Sequence, residues 1–176
     1  MLSLISALEA NIKSVKDYDK SYIKSPQFAC YAVVSSRSGA KTYYDYVSEY
    51  NPNMYYLIDD SNPDYILGYG DIEDGTINYH SNEFNKGHIE YDIRPSERGK
   101  GFGNVILSLL LEKCAEMGYE EVCISCHTDN IKSKKIIEKN GGIFEKEFKD
   151  KFGNTTSLKY WIKLNPTNKK TRWYNE

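Results

Sequence analysis

Residues 89–103, IEYDIRPSERGKGFG, constrain this chain more than any other stretch. A strand-like run ends at Ile93 and a short polar turn follows. Gly99, Gly101 and Gly103 then alternate into an apolar helical pattern, NVILSLLLEKCAEMG. A strand that feeds a glycine-rich turn at a helix N-terminus is a site for an anion. The free N–H groups of the first helical turn point outward there, and the helix dipole favours negative charge. Glycine lets the backbone approach a phosphate and adopt conformations that a Cβ obstructs. The pattern predicts a ligand that carries a phosphate or pyrophosphate.

The spacing selects among phosphate loops. A Walker loop needs G-x-x-x-x-G-K-[ST], and no Gly-Lys-Ser/Thr occurs. A dinucleotide fingerprint needs G-x-G-x-x-G, but Asn104 stands where the third glycine belongs. The pattern R/Q-x-x-G-x-G/A is met by Arg98, Gly101 and Gly103. The chain downstream follows suit: EEVCIS reads as a buried strand, Asn130-x-x-Ser133 opens a short helix, and Glu138-Lys139-Asn140-Gly141-Gly142 closes it. Together these segments resemble the GNAT superfamily of N-acetyltransferases. The resemblance is strong over residues 87–148. The run LKYWIKL, Leu158 to Leu164, matches the final strand of some members. Residues 1–60 carry no such likeness and form the variable, acceptor-side part of the expected domain.

The resemblance implies direct attack of an amine on the thioester of acetyl-coenzyme A (acetyl-CoA). It implies a pantetheine arm in a gap between two splayed strands, pairing with the backbone of Tyr91, Asp92 and Ile93. It places the pyrophosphate on the N–H groups of Gly99, Lys100, Gly101, Phe102, Gly103 and Asn104, with Arg98 and Lys100 adding charge. Asn130 matches the position that bonds the pantetheine arm, and Ser133 and Lys134 fall near the same cofactor. Asn130 is equally suited to be the N-cap of its helix, and Lys134 to be a solvated surface residue. Many members use a tyrosine seven positions after the asparagine as the acid; here that is Ile137. Others place a glutamate five positions before it as the base; here that is Ser125. The acid and base of this chain therefore come from elsewhere, or water protonates the thiolate.

The strand HIEYDI offers candidates. Alternation puts His88, Glu90 and Asp92 on one face and Ile89, Tyr91 and Ile93 on the other. The apolar set suits a core and the polar set a cleft. Glu90 is the expected general base, and His88 follows because imidazole titrates near neutral pH. His127 is a weaker candidate after the next strand. Tyr43, Tyr44, Tyr46, Tyr50, Tyr55 and Tyr56 could line an acceptor pocket or simply pack, and one of them could serve as the acid.

Charge is unevenly spread. Residues 42–92 hold eleven Asp/Glu and one Lys, whereas residues 93–176 hold sixteen Lys/Arg and eleven Asp/Glu. The basic half carries the phosphate loop, and the acidic half would attract a cationic amine or present a solvated face. An acidic surface argues against nucleic acid as partner. Cys123 and Cys126 form C-x-x-C, but residues three apart on a strand point to opposite faces, and no second pair completes a zinc site. No metal is expected. No segment reaches a membrane span and the N-terminus lacks a signal-peptide pattern, so a cytoplasmic protein without a membrane partner is expected. The fold is compatible with a homodimer.

One chain of 176 residues fits a single domain. Leu2, Leu4, Ile5, Leu8, Ile12 and Val15 recur at helical spacing and predict an N-terminal helix. Residues 26–34 read as a strand and residues 40–50 as a helix. NMYYLID and YILGYGDIE read as strands around a turn at Asp60–Asp64. Gly87–Ile93 is a strand, Gly101–Met117 the main helix ended by Gly118, and Glu121–Cys126 a strand. A helix at Asn130–Lys139 and strands at Gly142–Phe148 and Thr155–Leu164 follow, the last two around a turn at Asp150–Asn154. The order predicts an α+β fold, a mixed, mostly antiparallel central sheet with helices on both faces, as the resemblance also implies. The expected activity is N-acetyl transfer from acetyl-CoA to a cationic primary amine. A CoA-binding module of the same fold without turnover is the alternative.

Overall fold

A computed structural model describes residues 1–6, 53–73, 87–149 and 155–164. The helix expected from 40 to 50, the strand from 26 to 34, the turn at 150–154 and four of the six tyrosines lie outside them. The elements in order are β1 (Leu2–Ser6), β2 (Met54–Asp59), β3 (Asn62–Ile72), β4 (Ile89–Ile93), a 3-10 turn at Pro95–Glu97, α1 (Phe102–Glu116), β5 (Glu121–His127), α2 (Ile131–Lys139), β6 (Ile143–Lys149) and β7 (Thr156–Lys163). Two compact units result, Met1–Ile72 with Glu90–Ile106, and Glu73–Ile89 with Leu107–Glu176.

The first unit holds a four-stranded sheet in the order β1-β2-β3-β4. Its first strand corrects the sequence reading. Residues 2–6 form a strand, not the start of a helix, pairing antiparallel with β2 from Leu2↔Asp59 to Ser6↔Tyr55. Leu2 and Leu4 flank Ser3 at period two, and the ladder to β2 overrides the helical spacing that Leu8 and Ile12 suggest. The rest of that expected helix lies outside the described residues. The β2–β3 turn is also tighter than expected. Asp59 pairs with Asn62, so only Asp60 and Ser61 connect the strands. The Asp59 carboxylate accepts from Ser61 N at 3.0 Å and Ser61 Oγ at 2.8 Å. These bonds let a short polar side chain close the turn and hold the carboxyl below its ordinary range.

β2 and β3 carry the core of this unit. Tyr56, Leu57, Ile58, Ile66, Leu67, Tyr69 and Ile72 are all buried. Consecutive residues Tyr56, Leu57 and Ile58 point to both faces of the strand, so both faces are covered there. β4 seats against β3 through Gly68. A Cβ on Gly68 would stand 2.6 Å from Asp92 O and 2.8 Å from Ile93 Cδ1.

The second unit holds a three-stranded sheet, β5-β7-β6. β7 is central and antiparallel to both neighbours, with Cys123↔Trp161 and Ser125↔Lys159 on one side and Ile143↔Trp161 and Phe144↔Tyr160 on the other. The β6 register then skips Glu145 and resumes at Lys146↔Lys159. That extra residue is a bulge, which re-aims its side chain. One face of the sheet presents Val122, Ile124, Tyr160 and Ile162, all buried. Ile137 of α2 is fully buried, and a Cβ on Gly142 would meet its Cγ2 at 2.5 Å. α1 buries Ile106, Leu107, Leu110 and Cys114 completely and stops at Gly118, whose φ is +90°. Among the described residues, no helix is long and apolar enough to cross a membrane, and no group of His, Cys, Asp and Glu is placed to hold a metal ion.

Candidate functional site

The glycine loop occupies the place its sequence predicts, between β4 and α1. Gly99 and Gly101 have φ of +85° and +91°. L side chains rarely adopt that conformation, so the glycines are required by backbone angle. The Gly101 carbonyl accepts from Asn104 N at 3.0 Å and Val105 N at 3.4 Å, which makes it the helix-starting residue. Asn104 corrects the expected cradle: its backbone N–H is committed to this helical bond. The N–H groups of Gly99 through Gly103 take no acceptor among the described residues. Arg98, Gly99, Lys100 and Gly101 are solvent-exposed. The result is a run of open N–H groups at the positive end of a helix, suited to an anionic oxygen.

Side chains brace this loop from below. Arg94, which the sequence reading missed, is buried. Its N–H donates to Leu67 O at 2.9 Å, its Nε donates to Ile66 O at 2.6 Å, and its guanidinium lies 4.3 Å from the Tyr65 ring centroid. Tyr65 Oη donates to Glu97 Oε1 at 3.0 Å. Lys100 Nζ donates to Glu97 Oε2 at 2.8 Å. The Lys100 bond is the main reason the Glu97 carboxyl sits below its ordinary range. Arg98 Nε donates to Ile93 O at 2.9 Å. Its Nη2 donates to both Asp92 oxygens, at 3.0 and 3.2 Å. The Asp92 carboxylate also accepts from Ile93 N at 2.8 Å. Arg98 and Lys100 are each paired with a carboxylate. From Asp92 to Asn104 three cations face two carboxylates, leaving one positive charge in excess. The Glu97–Lys100 pair was legible from its spacing; the Arg94 brace needs β3, which no local pattern supplies.

The strand candidates separate. Glu90 is exposed and Tyr91 and Asp92 are half-buried, while Ile93 is buried. His88 is corrected: it is buried at 7% exposure, not presented on a polar face. Its Nδ1 accepts the Cys123 N–H at 2.8 Å, so the lone pair a general base needs is occupied.

In the second unit, Asn130 is the N-cap of α2. Its Oδ1 accepts from Ser133 N at 3.1 Å and its carbonyl accepts from Lys134 N at 3.0 Å. Lys134 Nζ lies 3.9 Å from Glu138 Oε1. Ile137, the position matching the expected tyrosine, is a core residue. Ser125, the position matching the expected glutamate, faces Lys159 across the ladder. Lys159 is buried at 1% exposure. Its Nζ lies 3.2 Å from Glu145 Oε2, which also accepts from Trp161 Nε1 at 2.7 Å. These bonds outweigh desolvation and hold the Glu145 carboxyl below its ordinary range. The sequence signal was present: a lysine inside the apolar run LKYWI must be paired when buried. His127 ends β5 exposed, its Nδ1 3.2 Å from Ser157 Oγ. Cys123 and Cys126 are unpaired and buried. Burial pushes the Cys123 thiol up to about 11 and raises Cys126, so neither is a reactive thiolate.

The comparisons with known proteins point one way. The sequence model of the acetyltransferase (GNAT) domain matches residues 11–143. No curated protein matches the chain. A spermidine N-acetyltransferase chimera from Vibrio cholerae has a similar fold, with TM-score 0.65 and 14% identity over 92% of this chain and 95% of that one. A candidate acetyltransferase from Salmonella typhimurium, solved with its cofactor acetyl-CoA, gives TM-score 0.57 and 14% identity over 96% of each chain. A GNAT-family acetyltransferase from Bacillus cereus gives 0.59 and 14% over 94% and 99%. With the glycine loop at the start of α1 and a family match over most of the sequence, the chain belongs to the GNAT acetyltransferases.

Proposed function

We propose that this chain moves an acetyl group from acetyl-CoA to the primary amine of a cationic acceptor. The open N–H run from Gly99 to Gly103 carries the reading, because its geometry fits a pyrophosphate. Both positive-φ glycines, the helix N-terminus and the excess cation of the loop fit that group. Arg98 and Lys100 would turn part of their charge to the phosphates, while Arg94 keeps the loop fixed to β3. The backbone of Tyr91 to Ile93 offers pairing groups to the pantetheine arm. Asn130, Ser133 and Lys134 stand at the family's cofactor positions, and here Asn130 shapes the start of α2 as its cap.

When bound, acetyl-CoA supplies an activated thioester. Glu90 is the proposed proton acceptor, taking a proton from the acceptor ammonium directly or through a water. It is an exposed carboxylate on the strand that leads into the loop. The thiolate regains a proton from a tyrosine or from solvent. The acid-rich segment 42–92 supports a cationic acceptor, as does the fold likeness to a spermidine N-acetyltransferase.

The test is product analysis by mass spectrometry after incubation with acetyl-CoA and single acceptors: polyamines, aminoglycosides, basic peptides, and an anionic amine as contrast. Acetylated cationic products, reduced about 100-fold or more in rate by Glu90→Gln, are the expected result. Acetylation of the anionic amine alone would remove the charge argument, and unchanged turnover in Glu90→Gln would remove Glu90 from the mechanism.

A further inference from the structure

Two hydrogen bonds fasten His88 to a single residue of β5. The His88 N–H donates to Cys123 O at 2.7 Å, and the Cys123 N–H donates to His88 Nδ1 at 2.8 Å. In a ladder, a backbone carbonyl takes that second bond. The His88 carbonyl is used elsewhere, accepting the Glu73 N–H at 2.8 Å. The imidazole therefore stands in for a carbonyl oxygen. Tyr119 meets the ring edge-on at 5.5 Å and Trp161 at 6.2 Å. Tyr119 Oη is anchored in turn on Glu73 O at 3.0 Å. The preceding residue adds no slack, since a Cβ on Gly87 would lie 2.8 Å from both Cys123 O and Ile124 Cα.

A ring nitrogen accepts a hydrogen bond only when it carries no proton, so the bond fixes the ring proton on Nε2 and requires a neutral imidazole. We infer that His88 is a pH-sensitive positioning residue, whose neutral ring holds the segment entering β4 onto β5 and whose protonation releases the Cys123 amide. Its effect on turnover rests on the acetyl-transfer reading above; the clamp itself does not.

The Cys123 thiol, raised to about 11, stays neutral. Beyond Trp161, Glu145 is held ionised by the Trp161 N–H and Lys159, with Lys146 at 3.6 Å. The bond needs the unprotonated ring, so it is present at alkaline pH and is lost as falling pH protonates the imidazole.

Amide hydrogen exchange of Cys123 and imidazole nitrogen-15 shifts of His88, followed from about pH 8 to about pH 5 in the intact chain, test this directly. After correction for intrinsic exchange, Cys123 protection should fall about tenfold or more as the His88 ring protonates. In His88→Asn an amide oxygen replaces Nδ1 as acceptor and does not titrate, so the step should vanish. A shift pattern with the proton on Nδ1 at the alkaline end, or Cys123 protection that ignores ring titration, overturns the inference without any variant being made. For turnover, a pH step that follows the ring and disappears in His88→Asn supports the positioning role. A turnover step that persists in that variant overturns it. The exchange measurement uses no substrate, so the clamp fails or stands apart from the acetyl-transfer reading.

Discussion

Gly101→Ala separates backbone strain from ligand binding. The added Cβ meets nothing within 4 Å, so sterics outside the residue do not oppose it. The cost lies in the angle: φ is +91°, and an L residue there costs about 1–2 kcal/mol. In a chain of this size that corresponds to a fall in Tm of roughly 2–8 °C. If the chain relieves the strain by rotating to negative φ, the neighbouring amides turn away from the anion position. Losing one hydrogen bond to a charged group costs about 1.5–3 kcal/mol, or roughly 10- to 100-fold in the Kd for acetyl-CoA. Gly118→Ala is the matched control, because Gly118 has φ +90° and equally open surroundings at the far end of α1. Thermal melting and titration calorimetry with acetyl-CoA should show similar Tm losses in the two variants, but a weakened Kd only in Gly101→Ala. Equal affinities in both variants, or equal losses in both, would refute the assignment of the loop as the pyrophosphate site.

Three further outcomes follow from the same geometry. Asn130→Ala removes the α2 cap and should cost about 1 kcal/mol in denaturant unfolding, whereas Asn130→Asp keeps the cap; a raised KM for acetyl-CoA in the stable Asp variant identifies a cofactor contact as well. Glu145→Gln deprives the buried Lys159 ammonium of a carboxylate 3.2 Å away and should cost about 1–3 kcal/mol, below the fully buried case because the Glu145 side chain is 34% exposed. Since the folded Glu145 carboxyl titrates below its ordinary 4.5, its contribution is present above that pH and lost as pH falls through the lower folded value; this part of the acid-unfolding curve should be missing in the Gln variant. Gly68→Ala forces a Cβ to within 2.6 Å of Asp92 O and should cost about 1–3 kcal/mol in denaturant unfolding while loosening the Asp92–Arg98 brace; an unchanged midpoint would contradict the close seating of β4.

The glycine loop and the helix after it were legible because their signals are local. Gly99, Gly101 and the apolar period of α1 lie within one turn of each other, and backbone angle alone dictates the glycines. Asn130 was legible as a cap for the same reason, its acceptor being three residues away. What escaped depends on partners distant in sequence. Leu2–Ser6 is a strand because β2 offers it a ladder across some fifty residues. Arg94 is buried because Ile66 and Leu67 present carbonyls to it. His88 looked like a free titratable group on a polar face, and it is instead an acceptor for a strand thirty-five residues on. Lys159 was visible as an anomaly in an apolar run, but its partner Glu145 is supplied by a bulge that pattern reading does not register.

The most direct measurement is release of free coenzyme A thiol from acetyl-CoA in the presence and absence of a cationic primary amine, with the acetylated amine quantified in the same sample. Thiol release should depend on the amine, with one acetylated product formed per thiol. Tight binding of acetyl-CoA with no amine-dependent thiol release across polyamines, aminoglycosides and basic peptides would contradict the proposed transfer.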